Sequence, residues 1–136
     1  MRQQNERFLA GCPIAAVTHD QALCRLAVAI ILGDHYVFIG ESLAFNYSAR
    51  DGLKIEAIVT LPPKTDLANA SGLKAIVMPH GGPEAYDSIG FDWMAQYFAN
   101  RGYLVLQPNF RGSAGYGRAF VEAGNGEWGG KMQNDL

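Results

Sequence analysis

Two glycine-rich stretches hold the residue types that could do chemistry in this chain. One is Met78-Pro79-His80-Gly81-Gly82-Pro83, the other Gln107-Pro108-Asn109-Phe110-Arg111-Gly112-Ser113-Ala114-Gly115-Tyr116-Gly117. In the first, two glycines remove side-chain bulk, so the backbone can approach a bound molecule closely. Backbone N–H groups fixed where negative charge develops on an oxygen lower the barrier to acyl transfer. Losing one such donor typically costs about 2.7–4 kcal/mol of transition-state stabilisation. On His80-Gly81-Gly82-Pro83 alone, a plain strand-ending turn is the stronger description; the second stretch changes the weighing.

The elements around these stretches must position them. Residues 73–78 and 103–106 are apolar runs, each read as a strand running into one of the loops. The first is expected to be buried. The second lacks alternation, as in a sheet covered on both faces. Between them, Phe91, Met94, Ala95, Phe98 and Ala99 fall at i, i+3, i+4, i+7 and i+8, one apolar stripe on a helix over 91–101. Gly102 stands where a helix ends most easily. A strand–helix–strand unit implies a right-handed parallel crossover. Both loops then lie at carboxyl ends of parallel strands, where open α/β sheets bind ligands.

Upstream, residues 43–49, Arg50-Asp51-Gly52 and residues 53–61 read as a hairpin, Asp-Gly being a strong turn signal. Pro62-Pro63 stops its second strand, and 64–72 is a polar loop. Residues 26–32 and 36–39 read as two short strands around the Gly33-Asp34 turn. After Phe110 a long glycine-rich loop follows, and Asp135-Leu136 reads as the opening of another helix. The fold class is therefore α/β: an N-terminal hairpin plus strand–helix–strand of a mostly parallel sheet.

Composition narrows the function classes. The 136 residues are 49% hydrophobic and 18% charged, with a formal net charge of −2, as in one ordinary globular domain. No basic cluster exists to neutralise phosphates, which argues against nucleic acid and anionic membrane as partners. Cys12 and Cys24 have no metal or disulfide spacing, and His19, His35 and His80 are scattered, so no metal site is expected. The most apolar window, 22–33, is interrupted by Arg25 and is too short for a membrane span. No signal-peptide pattern opens the chain, which tilts the expectation towards the cytoplasm without fixing a compartment.

Several further motifs stand in order around the two loops: Phe91-Asp92-Trp93, Asn100-Arg101-Gly102-Tyr103 and Trp128-Gly129-Gly130, preceded by Tyr47-Ser48-Ala49-Arg50-Asp51-Gly52-Leu53-Lys54-Ile55. With these the chain, from about residue 45 to 136, closely resembles the prolyl oligopeptidase family of serine peptidases. The likeness is nearest to its dipeptidyl aminopeptidase and acylaminoacyl-peptidase branch. The resemblance implies an α/β-hydrolase domain that normally follows a β-propeller, Ser-Asp-His acyl transfer on small peptides, and no cofactor or metal. Residues 41–136 would be the amino-terminal portion of that domain. Residues 1–40 would be a leader, either a hairpin or a remnant of the propeller's last strands. Carried over residue by residue, the Gly81 N–H becomes an oxyanion donor, with His80 and Gly82 shaping the hole. Asn109, Arg111 and Tyr116 fall on the loop beside the site, expected first to hydrogen-bond that loop and second to touch substrate. Glu84 and Asp87 read as solvated carboxylates, with contact to a substrate amino terminus as the sharper alternative.

The chain departs from the family at the nucleophile. A nucleophile elbow requires G-x-S-x-G on a strand-to-helix turn. Around Ser113 the first glycine is one position late, Ser88 has Tyr86 in its place, and no histidine follows His80. No triad is expected within these residues, and the chain is expected to stop before the elbow. The reading is thus a serine peptidase represented by its oxyanion loop, inactive by itself. The alternatives are a truncated non-catalytic product or an esterase on the same fold. An unpaired sheet edge at 73–78 would invite self-association.

Overall fold

The computed structural model describes residues 30–32, 35–37 and 39–136. Cys12, Cys24, His19 and most of the expected leader lie outside the described residues. Within the leader, strands β1 (Ile30–Leu32) and β2 (His35–Val37) pair antiparallel, Ile30 opposite Val37 and Leu32 opposite His35.

The Asp51-Gly52 turn forms where its residue types demand it. Strands β3 (Ser42–Ser48) and β4 (Lys54–Thr60) pair antiparallel, Ser42 opposite Thr60 and Ser48 opposite Lys54. Gly52 takes φ +88°. The Ala49 N–H donates to Leu53 O at 2.8 Å and the Gly52 N–H to Ala49 O at 2.9 Å. Glycine alone is left-handed here, so the connection is a three-residue loop with a glycine bulge and not a two-residue turn.

Strand β5 (Lys74–Val77), helix α1 (Trp93–Ala99) and strand β6 (Tyr103–Asn109) complete a four-stranded sheet of order β3-β4-β6-β5. β4 and β6 are antiparallel, Glu56 opposite Asn109; β5 and β6 are parallel, Val77 opposite Leu106. The core gathers on the central strands and α1: Ile55, Ala57, Ile58 and Val59, with Val105, Ala95 and Ala99.

Three expectations need correcting. β5 is not buried: Lys74 and Ala75 are exposed and Val77 is 46% exposed. It pairs with β6 on one side only, so its apolar side chains find no second neighbour among the described residues. The helix runs over 93–99 and not 91–101, because the Asp92 carboxylate accepts from the Met94 and Ala95 N–H groups at 2.8 and 2.9 Å and so caps it. Phe91, ahead of the cap, is 63% exposed, and the buried face is Ala95, Gln96 and Ala99. Finally, the loop after Phe110 is interrupted by α2 (Arg118–Glu122) and α3 (Lys131–Asn134). Asp135 closes α3, its N–H donating to Lys131 O at 3.0 Å, where a helix opening was expected.

Candidate functional site

Because β5 and β6 are parallel and in register, their carboxyl ends lie side by side. The two glycine-rich loops therefore leave the sheet together. In the first, Gly82 takes φ +135°, and a Cβ there would stand 2.8 Å from Ala85 N, so only glycine fits. Gly81 is exposed, and a Cβ on it would meet nothing within 4 Å. Among the described residues its N–H donates to no acceptor. Gly81 thus carries an uncommitted backbone donor on an exposed residue.

His80 is held from three sides. Its ring stacks on Phe110, with centroids 4.6 Å apart and planes 17° from parallel. Nδ1 lies 2.9 Å from Gly81 O and Nε2 lies 2.8 Å from Ser113 Oγ. Ser113 is fully buried, and its hydroxyl donates to Phe110 O at 2.6 Å. A hydroxyl so enclosed is not presented to solvent. The serine–histidine contact itself had no signal in a separation of 33 residues.

The second loop is the mould for the first. Asn109, fully buried, accepts the Asp87 N–H at 2.7 Å on Oδ1. Its Nδ2 donates to Asp87 O at 2.9 Å and to the Tyr116 oxygen at 2.7 Å. The Ala114 N–H donates to Ala85 O at 3.1 Å. Tyr116 donates to Glu56 Oε1 at 2.7 Å, and burial, reinforced by Glu56, pushes its phenol up to about 12. Arg111 is buried between two carboxylates. Nε and Nη2 donate to Asp135 at 2.7 Å each, and Nη1 and Nη2 to Asp51 at 2.9 Å each. The Arg111 N–H adds a bond to Asp135 Oδ2 at 3.0 Å. All three polar residues hold the loop through these contacts.

Asp87 departs from the expectation of a solvated carboxylate. Its Oδ2 is buried with no hydrogen-bond partner among the described residues, and burial raises its pKa above the ordinary value. Glu84 is exposed. Two cavities flank His80. One, of about 280 Å³, is lined by Pro79, Phe110, Trp128 and Met132; the other, of about 230 Å³, by Asp87, Asp92, Trp93 and Gln107. No three His, Cys, Asp or Glu side chains among the described residues group to hold a metal ion.

Comparison with known proteins shows what the chain is similar to. The model of the prolyl oligopeptidase family matches residues 89–136. Dipeptidyl peptidase family member 6 of Caenorhabditis elegans is 40% identical over 116 residues, covering 72% of this chain and 16% of that protein. The chain belongs to the prolyl oligopeptidase family. Dipeptidyl aminopeptidase BIII of Pseudoxanthomonas mexicana is 46% identical over 93 residues, covering 65% of this chain and 14% of that one. The crystal structure of a puromycin hydrolase superposes with a TM-score of 0.63 at 36% identity, over 71% of this chain and 15% of that one. The family is one of serine peptidases on the α/β-hydrolase fold, and the mixed sheet seen here is part of that fold. The chain spans about a seventh of the length of the curated relatives it matches, 16% of one and 14% of the other.

Proposed function

We propose that residues 41–136 form the amino-terminal portion of a serine peptidase catalytic domain and supply its oxyanion hole. The observation that carries this reading is the Gly81 N–H, given to no acceptor among the described residues and borne by an exposed residue at the carboxyl end of a parallel strand pair. In acyl transfer the carbonyl oxygen of the scissile bond becomes negative as the tetrahedral intermediate forms. A donor fixed beforehand stabilises that oxygen without reorganising. Gly81 gives the hydrogen bond, Gly82 permits the turn, and His80 walls the hole. The nucleophilic serine, the acid and the histidine base come from outside these 136 residues. Residues 1–40 are a leader whose β1–β2 pair fits either a lone hairpin or the last strands of a β-propeller. Small peptides are the substrate class.

The native-length protein from its source is expected to hydrolyse peptide anilides and to react with an organophosphorus serine reagent at a serine outside residues 1–136. The 136-residue polypeptide alone is expected to do neither. Labelling at Ser113 or Ser88, or no hydrolysis by the native-length protein, would overturn the reading. Rates on acyl esters with matched leaving groups separate a peptidase from an esterase on the same fold. A second reading, a non-catalytic polypeptide that associates with copies of itself, draws on the one-sided pairing of β5.

A further inference from the structure

We propose that Ser113 is a positioning residue for His80, setting the wall of the oxyanion hole through one shared proton arrangement. This rests on the reading of Gly81 and His80 given above. The Ser113 hydroxyl has a single proton and two oxygen lone pairs. The Phe110 carbonyl, 2.6 Å away, can only accept, so it takes that proton. The hydroxyl oxygen then accepts from His80, whose Nε2, 2.8 Å away, must carry a hydrogen. Ser113 thereby dictates where a proton sits on the ring and in which plane the ring lies.

The loop is built to keep that hydroxyl in place. Ser113 has no exposed surface, and its N–H donates to the same Phe110 carbonyl at 3.0 Å. The Gly112 N–H donates to Phe120 O at 2.9 Å, tying the turn to α2. Phe110 contributes twice, by its carbonyl to Ser113 and by its ring stacked on His80. The imidazole is thus clamped between a face and an edge. The Gly81 carbonyl, 2.9 Å from Nδ1, can only accept, so that contact is a hydrogen bond only when Nδ1 also carries a hydrogen. Gly81 follows His80 directly, and displacing the ring displaces the residue that bears the donor N–H.

The test is a double-mutant cycle in the native-length protein, with Ser113→Ala, His80→Ala and the pair. Ser113→Ala is expected to lower kcat on a peptide anilide by about tenfold with KM within about twofold. That loss is smaller than the roughly 10²–10³-fold seen when an oxyanion donor itself is removed. In the His80→Ala background the same change should alter kcat less than about twofold, because Ser113 acts through the ring. Equal losses in both backgrounds, or no loss in either, would overturn the proposal. The ¹⁵N spectrum of the His80 ring decides independently of activity. Nε2 should carry its proton in the wild type, and the ring signals should change in Ser113→Ala; unchanged signals would overturn it. If the wild-type protein hydrolyses no peptide, the functional reading fails, and the ring spectrum still judges Ser113.

Discussion

Arg111 shows how one residue can join parts of the chain that sequence distance keeps apart. Its guanidinium forks onto Asp51 at the hairpin turn and onto Asp135 after α3. The Asp135 side chain has no exposed surface, so Arg111→Met would leave a buried carboxylate without its counter-charge. Breaking such a pair costs about 3–5 kcal/mol; in the native-length protein this should appear as a lower denaturation midpoint with an unchanged slope. An unchanged midpoint would mean that solvent or another cation replaces Arg111. Asp51 makes a pH prediction. The hydrogen bond from Arg111, then that from the Leu53 N–H, lowers its pKa from 3.8 to about 2. Between those values the folded state binds fewer protons than the unfolded state, so stability rises with pH. The Asp51 contribution is full above about pH 4 and fades as pH falls towards 2. The stability difference between the wild type and Asp51→Asn should therefore shrink over that interval. A difference that stays constant across it would contradict the assignment.

At the scale of elements, Gln96 ties α1 to the segment before β3. Its side chain accepts the Gly40 N–H at 2.8 Å and donates to the Gly40 carbonyl at 2.9 Å, as a neighbouring strand would. Gln96→Leu preserves the bulk but leaves two backbone groups unpaired, at about 1–3 kcal/mol each. A thermal melting shift is the readout, and a melting temperature equal to the wild type would show that water satisfies Gly40. The elements themselves were legible in the sequence wherever the signal was local. Asp51-Gly52 marked its hairpin, the spacing of Ala95, Phe98 and Ala99 marked α1, and Gly102 marked its end. Asp92 before Trp93 was a readable cap that moves the helix start two residues along. Gln96 was not legible, since a polar residue beside an apolar stripe reads as solvent-facing until its partner, 56 residues away, is known. The same holds at the site. His80-Gly81-Gly82 stood out by composition, whereas the Asn109–Asp87, Arg111–Asp135 and His80–Ser113 bonds join residues 22 to 33 positions apart that only the tertiary fold brings together. The exposure of β5 was illegible for another reason: an apolar run states what a strand prefers to bury, not which neighbour buries it.

For the molecule as a whole, β5 is the edge strand of the sheet among the described residues, with its outer backbone groups outside the ladder and Ala75 and Val77 exposed. Phe91, Trp93 and Tyr97 are exposed as well. Such an edge templates pairing with another strand. We expect the isolated 136-residue polypeptide to self-associate or to lack a cooperative melting transition. Sedimentation as a monomer, with a cooperative transition by circular dichroism, would contradict this. The central claim concerns a single hydrogen bond, from Gly81 to a developing oxyanion. A crystal structure of the native-length protein carrying a tetrahedral phosphonate adduct tests it most directly. The account predicts the adduct oxygen about 2.7–3.1 Å from the Gly81 nitrogen, with His80 still on Phe110 and Ser113. An adduct oxygen bound by other donors, with Gly81 N–H left facing solvent, would contradict it.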